Sequence, residues 1–309
     1  MESHAALLGT ELTGDLLCAR CRYNLRGLSV RGLCPECATP VAATLLTVID
    51  PQAAELQAIR RPVLTAMGLV AWSLGGLAAA LAMWVVRVGD AAPAVQPGPW
   101  AAWTVAACLL CSAAGGLALV SPHAGIRRMY VVSSLVAVTA TVALAWTAWT
   151  LVATIDGPRG RPYLMGSEWS PRWAWSLGSS ALVGVIVLGY RPVFHILQAR
   201  SYLLRTGQVE RQTLRALAAS AAVMLCGDLG QVALRGLHVE SETVLMIPMF
   251  LTGVGALLLT AGLIGIVIDV MRLLRVVLTP PLGLTDVLRA APPDGGRAGA
   301  EGTVTGPVP

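Results

Sequence analysis

From residue 63 onward, long apolar stretches alternate with short polar ones. Six such stretches occupy residues 63–86, 100–120, 130–155, 173–190, 214–234 and 244–268. Each is near or above the ~18–20 residues a helix needs to cross a hydrocarbon core. The fourth is the shortest and runs on toward Leu197. The fifth is the least regular, because Arg215, Asp228 and Gln231 interrupt it. The pattern predicts an all-α integral membrane protein with a six-helix transmembrane bundle over 62–278. Pro248 is expected to kink the sixth span.

The flanking segments read differently. Residues 1–15 read as a flexible leader. Glu2, Glu11 and Asp15, with no basic start and no long apolar run, do not make a signal peptide. Residues 43–61 read as a linker. There Asp50-Pro51 marks a helix start, and Leu56, Ile59 and Val63 recur at helical spacing. Residues 198–213 mix four charges with apolar positions and suggest an amphipathic connector. The stretch 279–309, dense in proline and glycine, reads as a disordered tail.

Residues 16–42 carry the motif that names its own chemistry. Cys18-Ala-Arg-Cys21 and Cys34-Pro-Glu-Cys37 are two CxxC pairs with twelve residues between them. Two cysteines on one tight turn can aim both sulfurs at a single ion, and two such turns complete a tetrahedron. The gap is long enough for a short hairpin, with Gly27 and Gly32 near its bends. A structural Zn2+ held by Cys18, Cys21, Cys34 and Cys37 is the expected cofactor. The competing readings are two disulfides, idle thiols, or a rubredoxin-like iron site. Rubredoxins have a wider gap and a more aromatic core than Tyr23 alone supplies.

The same stretch resembles a group of bacterial multi-pass membrane proteins that open with a CxxCGYxLRGL…CPECG pattern. Cys18, Cys21, Tyr23, Leu25, Arg26, Gly27, Leu28, Cys34, Pro35, Glu36 and Cys37 match it. Arg22 and Ala38 stand where that group usually has glycine, so both turns are expected to be tight or strained. The resemblance covers about a tenth of the chain. It implies an N-terminal zinc ribbon on a membrane protein and brings no known activity.

Composition sharpens this picture. Only 13% of residues are charged and mean hydropathy is +0.68, against about a quarter charged in soluble domains. All 22 basic residues are arginine, which excludes Schiff-base and P-loop lysines. With six spans, the head, the even loops and the tail hold seventeen arginines and the odd loops five. The positive-inside rule then places both termini in the cytoplasm, and the resemblance implies that the membrane is a bacterial inner membrane. Eight of the nine tryptophans cluster around the first and third loops, as an interfacial belt on the other side would. The head itself is near neutral. Four thiolates on one divalent ion leave two negative charges, and its four arginines less Asp15 and Glu36 leave two positive ones. This argues against nucleic acid as a partner, since phosphate binding needs surplus positive charge.

Within the spans, Asp228 needs a reason. A carboxylate at depth costs a few kcal/mol on insertion scales, so it is expected to face the bundle or a wet cavity. It reads either as a proton or ion site or as a buried acid hydrogen-bonded to Gln231 or a neighbouring helix. Cys108 and Cys111 form a third CxxC inside the second span and read as small packing residues. The four histidines make no catalytic set, and HExxH, GxSxG and P-loop motifs are missing from the sequence. The chain therefore reads as a non-enzymatic scaffold, sensor or assembly factor. Its partners would be the lipid bilayer and a protein docked on the cytoplasmic ribbon. The alternative is a transporter or channel with Asp228 in its pathway.

Overall fold

The computed structural model describes residues 11–48, 59–91, 98, 100–122, 126–156, 172–204, 213–239, 241–279 and 287. They fall into two compact units. One combines the first 56 residues with the chain after residue 280, and the other spans residues 57–280.

The first unit is a small head. Leu12, Leu16, Leu25, Val30 and Val41 bury one another together with Cys18 and Cys34. Val287, from the C-terminal part of the chain, is 1% exposed in the same core. The amides of Thr13 and Gly14 donate to its carbonyl at 3.0 and 3.2 Å. The hairpin expected between the cysteine pairs is built from turns and isolated antiparallel bridges: Glu11 with Ser29, Leu17 with Asn24, Leu33 with Pro40. Helix α1 (Val41–Val48) follows the second cysteine pair. The helix start predicted at Asp50-Pro51 lies outside the described residues. So do residues 1–10 and the tail beyond Thr279, apart from Val287.

The second unit is helical. It comprises α2 (Pro62–Ala91), α3 (Trp100–Leu117), α4 (Arg128–Thr150), α5 (Arg172–Leu204), α6 (Thr213–Gly236) and α7 (Glu242–Leu278). Helix α4 ends in a wider π turn, Leu151–Asp156. Among the described residues, these six are long and apolar enough to cross a membrane. Each packs on its successor, and α7 closes back onto α2, so the bundle is a ring. Outward-facing apolar stripes recur every seventh residue: Met67, Leu74, Leu81 and Val88 on α2, and Phe250, Leu257, Ile264 and Met271 on α7. Exposed apolar surface this continuous belongs against lipid.

Small residues set the helix spacing. A Cβ on Gly115 of α3 would lie 2.5 Å from the Trp72 amide nitrogen and 2.6 Å from the Gly68 carbonyl on α2. The centre of the unit is aromatic, with Trp72 meeting Tyr190 edge-on at 5.2 Å and Phe194 at 4.9 Å. Two sequence expectations change. The fifth span, doubted for its polar residues, is a regular helix of 24 residues, in which Asp228 and Gln231 find partners on neighbouring helices. The fourth runs as far as Leu204. Helix α6 stops where His238 turns left-handed (φ 55°). The amides of His238 and Val239 then satisfy the carbonyls of Arg235 and Leu234. Helix α7 continues through Pro248.

Candidate metal centre and buried polar sites

The two cysteine turns are built alike. The amide of Arg22 donates to the Cys18 carbonyl at 3.0 Å, and that of Ala38 to the Cys34 carbonyl at 2.9 Å. The amides of Cys18 and Cys34 donate onward to the carbonyls of Tyr23 and Thr39, at 2.8 and 2.9 Å. Both turns close through a left-handed residue, Arg22 (φ 65°) and Ala38 (φ 54°). These are the positions where the resemblance led us to expect strain. A Cβ in this region costs roughly 1 kcal/mol or more.

The turns bring all four sulfurs within 4.8 Å of one another. Cys18 and Cys37 stand 3.6 Å apart, and Cys21 and Cys34 3.5 Å. A tetrahedron with metal–sulfur bonds of about 2.3 Å has edges of roughly 3.8 Å, so the donor set fits a thiophilic divalent ion. Cys18 and Cys34 are buried, Cys37 is half-buried and Cys21 faces solvent.

Without a cation the sulfurs compete for charge. Burial pushes the Cys18 thiol up. The amides of Cys21 and Arg20 and the thiols of Cys37 and Cys21 outweigh that and bring it down to about 6. Cys21 moves the other way. The Tyr23 amide lowers it, but burial and the sulfurs of Cys37, Cys34 and Cys18 push it up to about 12. Cys37 is lowered, first by the Thr39 hydroxyl 3.1 Å away. Four thiolates cannot share so small a volume unaided, and a bound divalent ion relieves the conflict.

Asp228 is 1% exposed on α6. Three hydroxyls donate to it: Ser176 (3.1 Å) and Ser180 (2.5 Å), one turn apart on α5, and Thr252 (3.2 Å) on α7. Of the two partners the sequence offered, the neighbouring helices answer the acid, while Gln231 donates to Thr252 Oγ1 at 3.3 Å. Close approach makes this arrangement possible. A Cβ on Gly227 would collide with Thr252 Oγ1 and fall 2.6 Å from the Thr252 amide nitrogen. The carboxylate thus ties three helices together. Cys108 and Cys111 stay on α3 and join no metal-ligating group among the described residues.

Sequence reasoning missed a second acid. Asp156, at the end of the π turn, accepts from Arg87 Nη1 of α2 at 2.6 Å and from Arg172 Nε of α5 at 2.8 Å. Asp156 and Arg172 are buried. The Trp173 ring lies beneath both Arg172 (5.3 Å) and Arg235 (4.2 Å), a stack that suits desolvated guanidinium. A signal existed: all these charges fall at span ends that the odd loops share.

No protein-family model, curated protein or solved structure matches the chain.

Proposed function

We propose that the chain is a non-enzymatic scaffold, sensor or assembly factor of a bacterial inner membrane. Its head is a zinc ribbon that faces the cytoplasm and docks a protein partner. One observation carries this reading: four sulfurs from two matched turns converge on one point, a complete tetrahedral donor set that no further histidine, cysteine or carboxylate joins among the described residues. Closed four-cysteine sites of this kind are structural, and their metal supplies folding free energy. The likeness of residues 18–37 to the N-terminal motif of other multi-pass proteins and the bias of arginine toward head and tail point the same way.

The test is elemental analysis of the purified full chain, with thiol labelling of intact cells. One zinc per chain is expected, with labelling of Cys21 only after permeabilisation together with a zinc chelator. Partner capture from membranes should then fail for Cys18→Ser/Cys34→Ser. A metal-free protein, or labelling from outside, would overturn the reading.

The second reading, passage of ions or protons by way of Asp228, draws on the depth of that carboxylate. The three hydroxyls aimed at it instead join α5, α6 and α7, which favours an architectural role. A flux in proteoliposomes that disappears in Asp228→Asn would reverse that preference.

A further inference from the structure

Inside the ring of helices is a cavity of about 480 Å³ to which all six contribute. That lies within the range of small-molecule sites. On α2 the lining runs from Trp72 to Arg87, about 22 Å at ~1.5 Å per residue. One leaflet of hydrocarbon is only about 15 Å deep, so the cavity is long enough for an entire acyl chain.

The chemistry of the wall is more decisive than its size. Eight serine and threonine hydroxyls line it, and each donates within the protein. Ser176, Ser180 and Thr252 are turned to Asp228, and Ser112 to the Trp72 carbonyl. The Trp84 indole donates to Thr260. Apart from Arg87 and the Tyr190 hydroxyl, the side-chain polar atoms of the lining are thus spent on the wall, and the remaining surface is mainly alkyl, aromatic and thioether. A void dressed this way holds no stable water and favours an apolar guest. Left empty, it would forfeit dispersion contacts along its length. Met83, Met224 and Met249, from three helices, line it too and can adapt to a guest's contour. Arg87, the charged residue of the lining, marks one end. The buried Tyr190 hydroxyl, which has no partner among the described residues, stands near the other.

We propose that this cavity binds one lipid-like aliphatic chain, with its polar head at Arg87 and its methyl end toward Trp72 and Tyr190. Neither the metal centre nor the docking reading is needed for it.

The two lining tryptophans are built-in reporters. The probes are palmitates carrying bromine near the carboxyl or near the methyl end, added to the full-length protein in detergent. Saturable quenching of tryptophan fluorescence at one chain per protein is expected. The methyl-end probe should lose its saturable component in Trp72→Phe and the carboxyl-end probe in Trp84→Phe. Brominated hexanoate should quench at least tenfold more weakly. Gly76 and Gly253 also line the cavity, and a Cβ at either meets nothing closer than 3.9 Å. Gly76→Leu/Gly253→Leu should therefore fill the space, abolish saturable quenching and raise the Tm. Non-saturable quenching, equal in wild type and the filled variant, would overturn the proposal. So would reversal of the two positional effects. These positional effects are read in the near-native single substitutions, so the test stands even if the filled variant fails to fold.

Discussion

The head and the bundle meet the same requirement, to bury enough surface to hold a shape, with opposite resources. In the head the buried set is a handful of leucines and valines, and two of its most enclosed side chains are cysteines. So small a core is marginal by itself, and its geometry includes two left-handed residues that cost free energy. The bundle has a ring of long helices, glycine contacts at van der Waals limits and two clasped carboxylates. On the proposed reading the head is conditional on a metal and the bundle is not. Perturbations should therefore separate the two units cleanly.

The largest effect should come from removing the metal. Structural zinc contributes on the order of 10 kcal/mol in small sites. Chelation, or Cys34→Ser, should expose the head to limited proteolysis while the helical circular dichroism of the bundle stays unchanged. Loss of both signals together would break the comparison. Next is Gly227→Leu, which pushes α7 off α6 at the contact with Thr252. A cost of about 1–3 kcal/mol is expected from overpacking, read as a lower unfolding midpoint of the bundle with metal content intact.

Asp228→Ala should cost about 1–2 kcal/mol, because it strips three hydroxyls of their acceptor. Asp228→Asn, which keeps an acceptor oxygen, should cost less. Equal effects of the two would mean that the hydroxyl clasp is not what matters. The smallest change should be a gain. Arg22→Gly and Ala38→Gly relieve the left-handed turns and should stabilise the head by about 0.5–1 kcal/mol each. The measure is a higher chelator concentration for metal release, with no shift in bundle unfolding.

How much was legible in the sequence follows from range. The cysteine turns are local: six residues define each, and spacing alone points both sulfurs inward. That the turns at Arg22 and Ala38 would be strained was readable from the glycine the resembled proteins carry there; the left-handed backbone itself is what the structure adds. Span number and rough limits were readable because bilayer thickness imposes a length. What escaped is what only the third dimension joins. Asp228 is answered by Ser176 and Ser180, about fifty residues earlier, and by Thr252 on another helix. Nothing in their local pattern distinguishes those hydroxyls from the many others that bond their own backbone. Asp156 meets Arg87 across 69 positions. The cavity between the helices depends on the packing of α7 onto α2, which no linear pattern encodes.

Val287 has one more implication. Its carbonyl is held by the amides of Thr13 and Gly14, so a residue after the last span is fastened to one before the first. If the helices between them cross a membrane, two segments hydrogen-bonded into one folded body lie on the same side of it. The number of crossings between them is therefore even. Any rival count of five or seven fails on parity before charge or hydropathy is consulted.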